Sequence, residues 1–421
     1  MSKFQEEMYS VFSARVFSRS VENRSPLKAQ LELTYRCNLH CVHCFTDPFN
    51  TPTALSRELP LPGMIRILDD LASAGVLWLT LTGGEAVLHP RFKDIYRAAK
   101  ERGFLIALFT NGTTITDEIA DFLAKDPPFQ LEVSLHGVRA ETFERVTQVP
   151  GSYACFQAGI RRLLDRRLSV AIKTKAMTVN RQELGEIRAY VEGLGVDFSL
   201  YPTIYPRLNG DLSSTQYRLS GAEVAELEVA EECKPSPAPV RPSGRPACPL
   251  PQQGEGGSPA DFILPPPVEG EGWGEGPPPD DRLFRCGCGT NQLTVSPYGV
   301  FRPCTFTTWP SYDLKTIPVS EAFQRSAEEI NQARYTGESA CRSCSSHLFC
   351  DKNPVMAIHE AGSMEAPVPY FCEVAKARQT ASILTFTPSP SPSAGRGDTS
   401  AKNLTLPPPV EGEGRGEGAS S

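Results

Sequence analysis

Between residues 30 and 201 the chain alternates short apolar runs with stretches whose apolar positions recur every three to four residues. The runs Gln30–Thr34, Val76–Leu81, Phe104–Phe109, Gln130–Leu135, Ser169–Thr174 and Val196–Tyr201 read as strands. Between them, Pro62–Ala74 sets Met64, Ile65, Ile67, Leu68 and Leu71 on one helical face. Pro90–Arg102, Asp117–Lys125, Ala154–Arg166 and Arg181–Leu194 repeat that pattern. Six strand–helix units in one run predict an α/β fold with a parallel sheet. A partial, TIM-like (β/α)6 barrel suits them better than a doubly wound sheet. Right-handed crossovers then place every loop that follows a strand on one rim, where barrel enzymes carry their chemistry.

The pattern breaks near residue 234. Residues 234–281 are rich in proline and glycine, and Leu264–Gly276 (LPPPVEGEGWGEG) returns almost unchanged as Leu406–Gly418 (LPPPVEGEGRGEG). Such segments bury too little apolar surface to offset their chain entropy, so a disordered insert (234–281) and a disordered tail (386–421) are expected. The remaining parts are an N-terminal arm (1–28), the barrel (29–220) and a small cysteine-rich domain (282–380). That domain shows few long periodic segments and is expected to be held by metal rather than by a core.

A net charge of −7 over 421 residues argues against nucleic acid or an anionic membrane as the partner. No stretch has the length and apolarity of a signal peptide or membrane span, which predicts a soluble, cytoplasmic protein. Thirteen cysteines change the picture more. An odd count without a secretion signal points to metal or catalysis rather than disulfides. Cys155 lies apart from the clusters and reads as a small buried residue. Cys248, inside the insert, reads as no ligand.

Cys37, Cys41 and Cys44 form Cys-x3-Cys-x2-Cys directly after the first strand. Three thiolates so spaced can hold three irons of a cubane and leave the fourth open. The alternative is a structural zinc site that borrows His40 or His43, each adjacent to a cysteine in sequence. After the second strand comes Thr82-Gly83-Gly84-Glu85, with glycines that let backbone approach a ligand and a carboxylate at its end. Phe109-Thr-Asn111-Gly112 and Val133-Ser134-Leu-His136-Gly137 follow strands three and four, and Lys173 lies in strand five.

With both motifs in this order, residues 31–201 resemble the radical S-adenosylmethionine (SAM) superfamily. The resemblance implies a 4Fe-4S cluster on Cys37, Cys41 and Cys44 that binds and reductively cleaves SAM, with a hydrogen-abstracting radical as the outcome. It implies SAM contacts from His43 against adenine, from Gly83, Gly84 and Glu85 to the amino group, and from Asn111, Ser134 and Lys173. Asn111 also reads as a plain turn residue, and Lys173 as a solvated strand residue. Cys286-Gly-Cys288, Gly299 and Cys304, then Cys341-x2-Cys344-x5-Cys350 and Cys372, are similar to the SPASM domain, which carries auxiliary iron–sulfur clusters. Where that family has a further cysteine beyond Cys350, this chain reads Asp351-Lys-Asn353-Pro354. The first auxiliary set (Cys286, Cys288, Cys304) is therefore incomplete, and the second (Cys341, Cys344, Cys350, Cys372) complete. A zinc ribbon is the alternative for both.

The implied activity is modification of a ribosomal precursor peptide. Implied partners are that peptide, a reductant such as flavodoxin or ferredoxin, and a separate leader-peptide-binding protein. Two alternatives remain: radical modification of a small-molecule, haem or quinone precursor, and a metal-stabilised binding protein that has lost catalysis.

Overall fold

The computed structural model describes residues 9–232 and 281–386. The expected insert and tail, with Cys233 and Cys248, lie outside the described residues but for Asp281 and Phe386. In chain order the first part holds α1 (Tyr9–Glu22), β1 (Lys28–Thr34), α2 (Pro52–Leu55), α3 (Leu61–Ser73), β2 (Trp78–Gly83), α4 (Phe92–Glu101) and β3 (Leu105–Thr110). It continues through α5 (Asp117–Lys125), β4 (Gln130–Ser134), α6 (Ala140–Thr147), α7 (Ser152–Asp165), β5 (Val170–Lys175), α8 (Leu184–Leu194), β6 (Asp197–Tyr201) and α9 (Gly221–Glu232). The second part holds β7 (Gln292–Val295), β8 (Val300–Arg302), β9 (Tyr312–Asp313), α10 (Val319–Gln332), α11 (Pro354–Ala361) and α12 (Pro369–Phe386).

All six expected strands are present, within two residues of their expected limits. The described strands form one sheet in the order β6-β5-β4-β3-β2-β1-β7-β8-β9. β1 to β7 pair in parallel, and β8 and β9 turn back antiparallel. The mixed α/β fold with this parallel sheet is the partial barrel the alternation predicts.

Strand alternation divides the sheet into two faces. Leu31, Leu33, Leu79, Leu81, Ile106, Leu108, Leu131 and Val133 are fully enclosed and share one core with the helices. α3 contributes Met64, Ile67, Leu68 and Leu71, the one-sided spacing of an amphipathic helix. Gln30, Glu32, Thr80, Glu132, Ser134 and Lys173 alternate with those positions and face the lumen. The polar side chains of the lumen find partners within the fold. Arg302 on β8 pairs with Glu32 at 2.5 Å, Tyr35 donates to Glu32 at 2.9 Å, and Thr305 donates to Gln30 at 2.7 Å.

Three expectations need correction. Residues 282–380 are not poor in periodic elements, because α10 runs for 14 residues and α12 for 18. α10 buries Val319, Ala322, Phe323, Ser326, Ala327 and Ile330, and its small and polar members dilute the apolar signal. Nor is this part without a core. β7 joins β1 in register, Leu31 opposite Val295, and Leu293, Val295, Phe301, Leu314 and Phe323 belong to the core of the barrel. Cys155, expected inside, is exposed, because α7 turns Phe156, Gly159, Ile160 and Leu163 inward instead. Polar ties fasten the second part to the first: Arg378 to Glu228 at 2.6 and 2.7 Å, and Gly221 N to Glu373 at 2.7 Å.

Candidate functional site

The loop after β1 carries Cys37, Cys41 and Cys44, and its backbone is fastened on both sides. Asn50 exchanges hydrogen bonds with the Cys37 backbone, Nδ2 to O at 2.9 Å and N to Oδ1 at 3.3 Å. His40 N and Val42 N donate to Thr147 O and Val146 O at the end of α6, at 3.0 and 2.9 Å. The helix that positions this loop is one the pattern of residues does not reveal, since Thr142 and Thr147 stand in its buried face where apolar residues are looked for. Burial, then the carboxylate of Glu85, pushes the Cys37 thiol up to about 12. Burial raises Cys41 and Cys44 too, and for Cys41 the other two thiols add to it.

The two histidines of this loop part company. His40 turns outward and meets Asp47 at 2.9 Å. His43 is enclosed with its ring 4.7 Å from that of His136, in an edge-on arrangement. Both rings are held neutral by burial, which takes His136 down to about 3, and neither Nδ1 has a hydrogen-bond partner. A buried polar atom without a partner costs free energy, so the pair stands ready for a ligand with its own donors.

The glycine turn packs directly against the end of β1. A Cβ on Gly83 would lie 2.2 Å from Thr34 O, and one on Gly84 2.5 Å from Arg36 O. The space these glycines free is filled by the end of β1, and Gly84 N and Glu85 N donate to Thr34 O and Arg36 O at 2.7 and 2.8 Å. Glu85 is fully buried and accepts from Thr110 Oγ1 at 2.8 Å and Asn111 N at 2.7 Å. Burial outweighs those bonds and raises its carboxyl to about 7.

Asn111 is more than a turn residue, since its Nδ2 reaches Asn38 Oδ1 at 3.0 Å and Cys37 Sγ at 3.8 Å. Asn38 closes the network by donating to Thr113 at 2.8 Å. Ser134 stands beside Lys173 in register. Lys173 is not solvated: it pairs with Glu132 at 3.1 Å, its Nζ lies 3.0 Å from the Phe109 ring centre, and burial lowers it to about 8. Lys175, two residues on and on the same face, is likewise lowered to about 8 by burial and donates to Thr203 O at 2.8 Å. Sequence reasoning missed Lys175 and Glu132; the alternation Lys173-Thr-Lys175 was the available signal.

The C-terminal cysteines line a cavity of about 900 Å³ that also reaches Gln30, Thr80 and Thr294 on the lumen face. Gly299, with φ +80, turns the β7–β8 hairpin that brings Cys304 back toward Cys286 and Cys288. Cys288 is in hydrogen-bond contact with both. Cys341, Cys344, Cys350 and Cys372 line the same cavity, and Lys352 Nζ lies 3.6 Å from Cys341 Sγ. Among the described residues no three Cys, His, Asp or Glu side chains are gathered so as to hold a single metal ion. A cubane asks for a wider arrangement, since each thiolate meets a different iron.

Residues 31–192 match the family model of the Radical SAM superfamily. The barrel belongs to the radical SAM superfamily. Its relatives include the AdoMet-dependent heme synthase of Methanosarcina barkeri, 35% identical over 156 residues, 37% of this chain and 43% of that one. Another is the antilisterial bacteriocin subtilosin biosynthesis protein AlbA of Bacillus subtilis, 26% identical over 292 residues, 68% of this chain and 56% of that one. The chain thus spans about half the length of these curated relatives. In fold it is similar to Streptococcus suis SuiB bound to precursor peptide SuiA, with a TM-score of 0.59 and 14% identity, covering 89% of this chain and 83% of that one.

The residues of the radical SAM barrel fit the cofactors of that family, a 4Fe-4S cluster and SAM. Three soft donors stand half-buried on one loop, and burial that disfavours a bare thiolate is reversed by a metal that takes the place of the proton. The unpartnered Nδ1 atoms of His43 and His136 suit an aromatic ligand that carries N–H groups.

Proposed function

We propose that this protein is a radical SAM peptide maturase that abstracts hydrogen from a ribosomal precursor peptide. Cys37, Cys41 and Cys44 would hold the cluster, with SAM between His43, the Glu85 corner, Asn111, Ser134 and Lys173. When bound, cluster and SAM supply a 5′-deoxyadenosyl radical through one-electron cleavage of a sulfonium carbon–sulfur bond. The chain orients these groups and keeps water and stray hydrogen donors out. Glu85 ties the ends of β2 and β3, Asn38 and Asn111 fix the cluster loop to the third strand's loop, and Lys173 and Lys175 set positive charge on the lumen face of β5.

The observation that carries the peptide reading is the single cavity that runs from lumen residues to both C-terminal cysteine sets. Substrate and auxiliary clusters could meet there. The match to a bacteriocin biosynthesis protein extends over 292 residues, whereas that to a haem synthase covers 156. The haem synthase likeness keeps modification of a tetrapyrrole or other cofactor precursor as the second reading. Partners on the peptide reading are the precursor peptide, a reductant of the flavodoxin or ferredoxin class and a separate leader-binding protein.

The test is anaerobic reconstitution with iron and sulfide, then reduction in the presence of SAM. 5′-Deoxyadenosine should form, and replacing Cys37, Cys41 and Cys44 together with Ala should abolish it. Persistence of cleavage in that variant, or its absence from the parent protein, would overturn the reading. Co-expression with short reading frames flanking the gene should give a peptide mass change; turnover driven only by a tetrapyrrole would favour the second reading.

A further inference from the structure

We propose that Lys175 is the anchor for a carboxylate of the substrate peptide and so selects which peptide segment enters the lumen. This deepens the maturase reading and rests on it for where cofactor and substrate lie.

The lumen face of β5 carries two ammonium groups, and their surroundings differ. Lys173 has a carboxylate of its own, Glu132 at 3.1 Å, and lies against the Phe109 ring. Lys175 donates to a neutral acceptor, Thr203 O at 2.8 Å. An ammonium has three N–H donors, and among the described residues this is the one hydrogen bond that the Lys175 ammonium makes. The acid whose charge reaches it, Asp351, is bound to Arg378 at 2.6 Å and accepts from Thr203 Oγ1 at 3.2 Å. Two cations thus share this face with Glu132, which is paired to the first of them. Burial disfavours the charge on Lys175, and an incoming anion relieves that cost.

The neighbours on either side indicate which anion. After burial, the charge of Lys175 is the next cause that holds the His136 ring neutral, and it acts on His43 as well. Asp351, on the other side, lines the C-terminal cavity. Lys175 therefore stands between the two rings assigned to adenine and the cavity assigned to substrate. On that assignment the carboxylate of SAM already has Lys173. In a ribosomal peptide the anions are the carboxylates of acidic side chains and of the chain end.

Tyr201 adds a second wall. It lies opposite Lys175 in register, with its ring centre 5.6 Å from Nζ, and is 43% exposed. β6 ends the sheet of described strands, so Tyr201 stands at the margin of the lumen. Such a ring can lie along the methylenes of an acidic side chain whose carboxylate meets Lys175. The contact is a charge-assisted hydrogen bond, in which Lys175 keeps its proton and no covalent bond changes.

Binding is measured on the reconstituted full chain with SAM and without reductant, so that no turnover occurs. The probes are a short alanine peptide with blocked ends and a central glutamate, its glutamine counterpart, and an alanine peptide whose one charge is a free C-terminal carboxylate. Calorimetry should find one of the two carboxylate peptides bound about tenfold or more tightly than the glutamine peptide, the range for a hydrogen bond to a charged group. Tighter binding of the glutamate peptide assigns the anchor to a side chain, and of the third peptide to a chain end. Lys175→Met should remove the preference, Lys175→Arg should keep it, and SAM affinity should be the same in all three proteins. Lys175→Gln, which retains a donor for Thr203 O, should behave as Lys175→Met does. A lysine that served only the fold would, when replaced, weaken all the peptides alike and leave their ratio intact.

No preference in the parent protein, or one that survives both Lys175→Met and Lys175→Gln, would overturn the proposal. So would a fall in SAM affinity in those variants, which would give the lysine to the cofactor. Lys175-dependent binding of coproporphyrin III without any of the peptides would overturn it in favour of the tetrapyrrole reading. 5′-Deoxyadenosine formation by the parent protein is measured separately. Its absence sinks the maturase reading and leaves the binding ratio standing, while equal binding of the peptides beside intact SAM cleavage sinks only this inference.

Discussion

The barrel rim and the C-terminal cavity both gather cysteines, but by opposite means. At the rim, three thiols lie within eight residues of sequence, and neighbouring backbone holds their loop: Asn50 on one side, the end of α6 on the other. In the cavity, seven cysteines spread from Cys286 to Cys372 are collected by a hairpin, a loop and α12. Long-range polar ties fix that collection, Arg302 to Glu32 and Arg378 to Glu228 and Asp351. A short spacing can be read as a site from sequence, whereas a dispersed set becomes one only when the fold closes. The cavity should therefore be the more fragile of the two.

The sharpest way to break the comparison is Arg302→Met. Arg302 and Glu32 are 5% and 1% exposed at the side chain, and Arg302 stands two residues before Cys304. Removing one partner leaves a buried carboxylate with Tyr35 as its remaining donor, a loss of about 3–5 kcal/mol for a pair of this kind. Chemical denaturation should register that loss, and iron counts should fall at the C-terminal sites before the rim. Adding Glu32→Gln should recover much of the stability. If the single variant loses rim iron first, the contrast in fragility is wrong.

Glu85 tests the rim in the metal-free protein. Its carboxyl is raised to about 7 in the fold, first by burial, while an unfolded chain keeps the ordinary value near 4.5. The folded state therefore binds the proton more tightly, and stability from this group is present below pH 4.5 and lost as pH rises through about 7. On the order of 3 kcal/mol is at stake across that window. Urea midpoints at pH 5 and pH 8 should differ more for the parent than for Glu85→Gln. Equal slopes would mean that the raised carboxyl does not set the rim's pH response.

Much of this was legible in the chain. Six strands, five helices and the Cys37–Cys44 loop follow from alternation and spacing, because each depends on residues close in sequence. What stayed hidden depends on contacts across the fold. β7 is four residues long and is a barrel strand only because β1 offers it an edge. α6 and α10 place Thr, Ser and Ala at buried positions, which removes the apolar rhythm. Gly83 and Gly84 were legible as necessary, but not that β1's backbone fills the space beside them. Glu132 became a partner of Lys173 only once β4 and β5 paired in register.

The smallest expected effect bears on the metal at the rim. A zinc site on Cys37, Cys41 and Cys44 needs a fourth donor, and His40 and His43 were the sequence candidates. His43 is enclosed against His136, while His40 leans outward on Asp47 with a side chain 57% exposed. An exposed ion pair of this kind contributes between zero and about 1 kcal/mol. His40→Ala should therefore shift the denaturation midpoint barely at all and leave iron, sulfide and SAM cleavage at parental levels. Were His40 the fourth zinc ligand, the same substitution would strip the metal from the loop and cost several kcal/mol of the folding free energy a structural zinc supplies. A near-silent variant, with inorganic sulfide still counted at the rim, leaves His40 outside the metal donors of the loop.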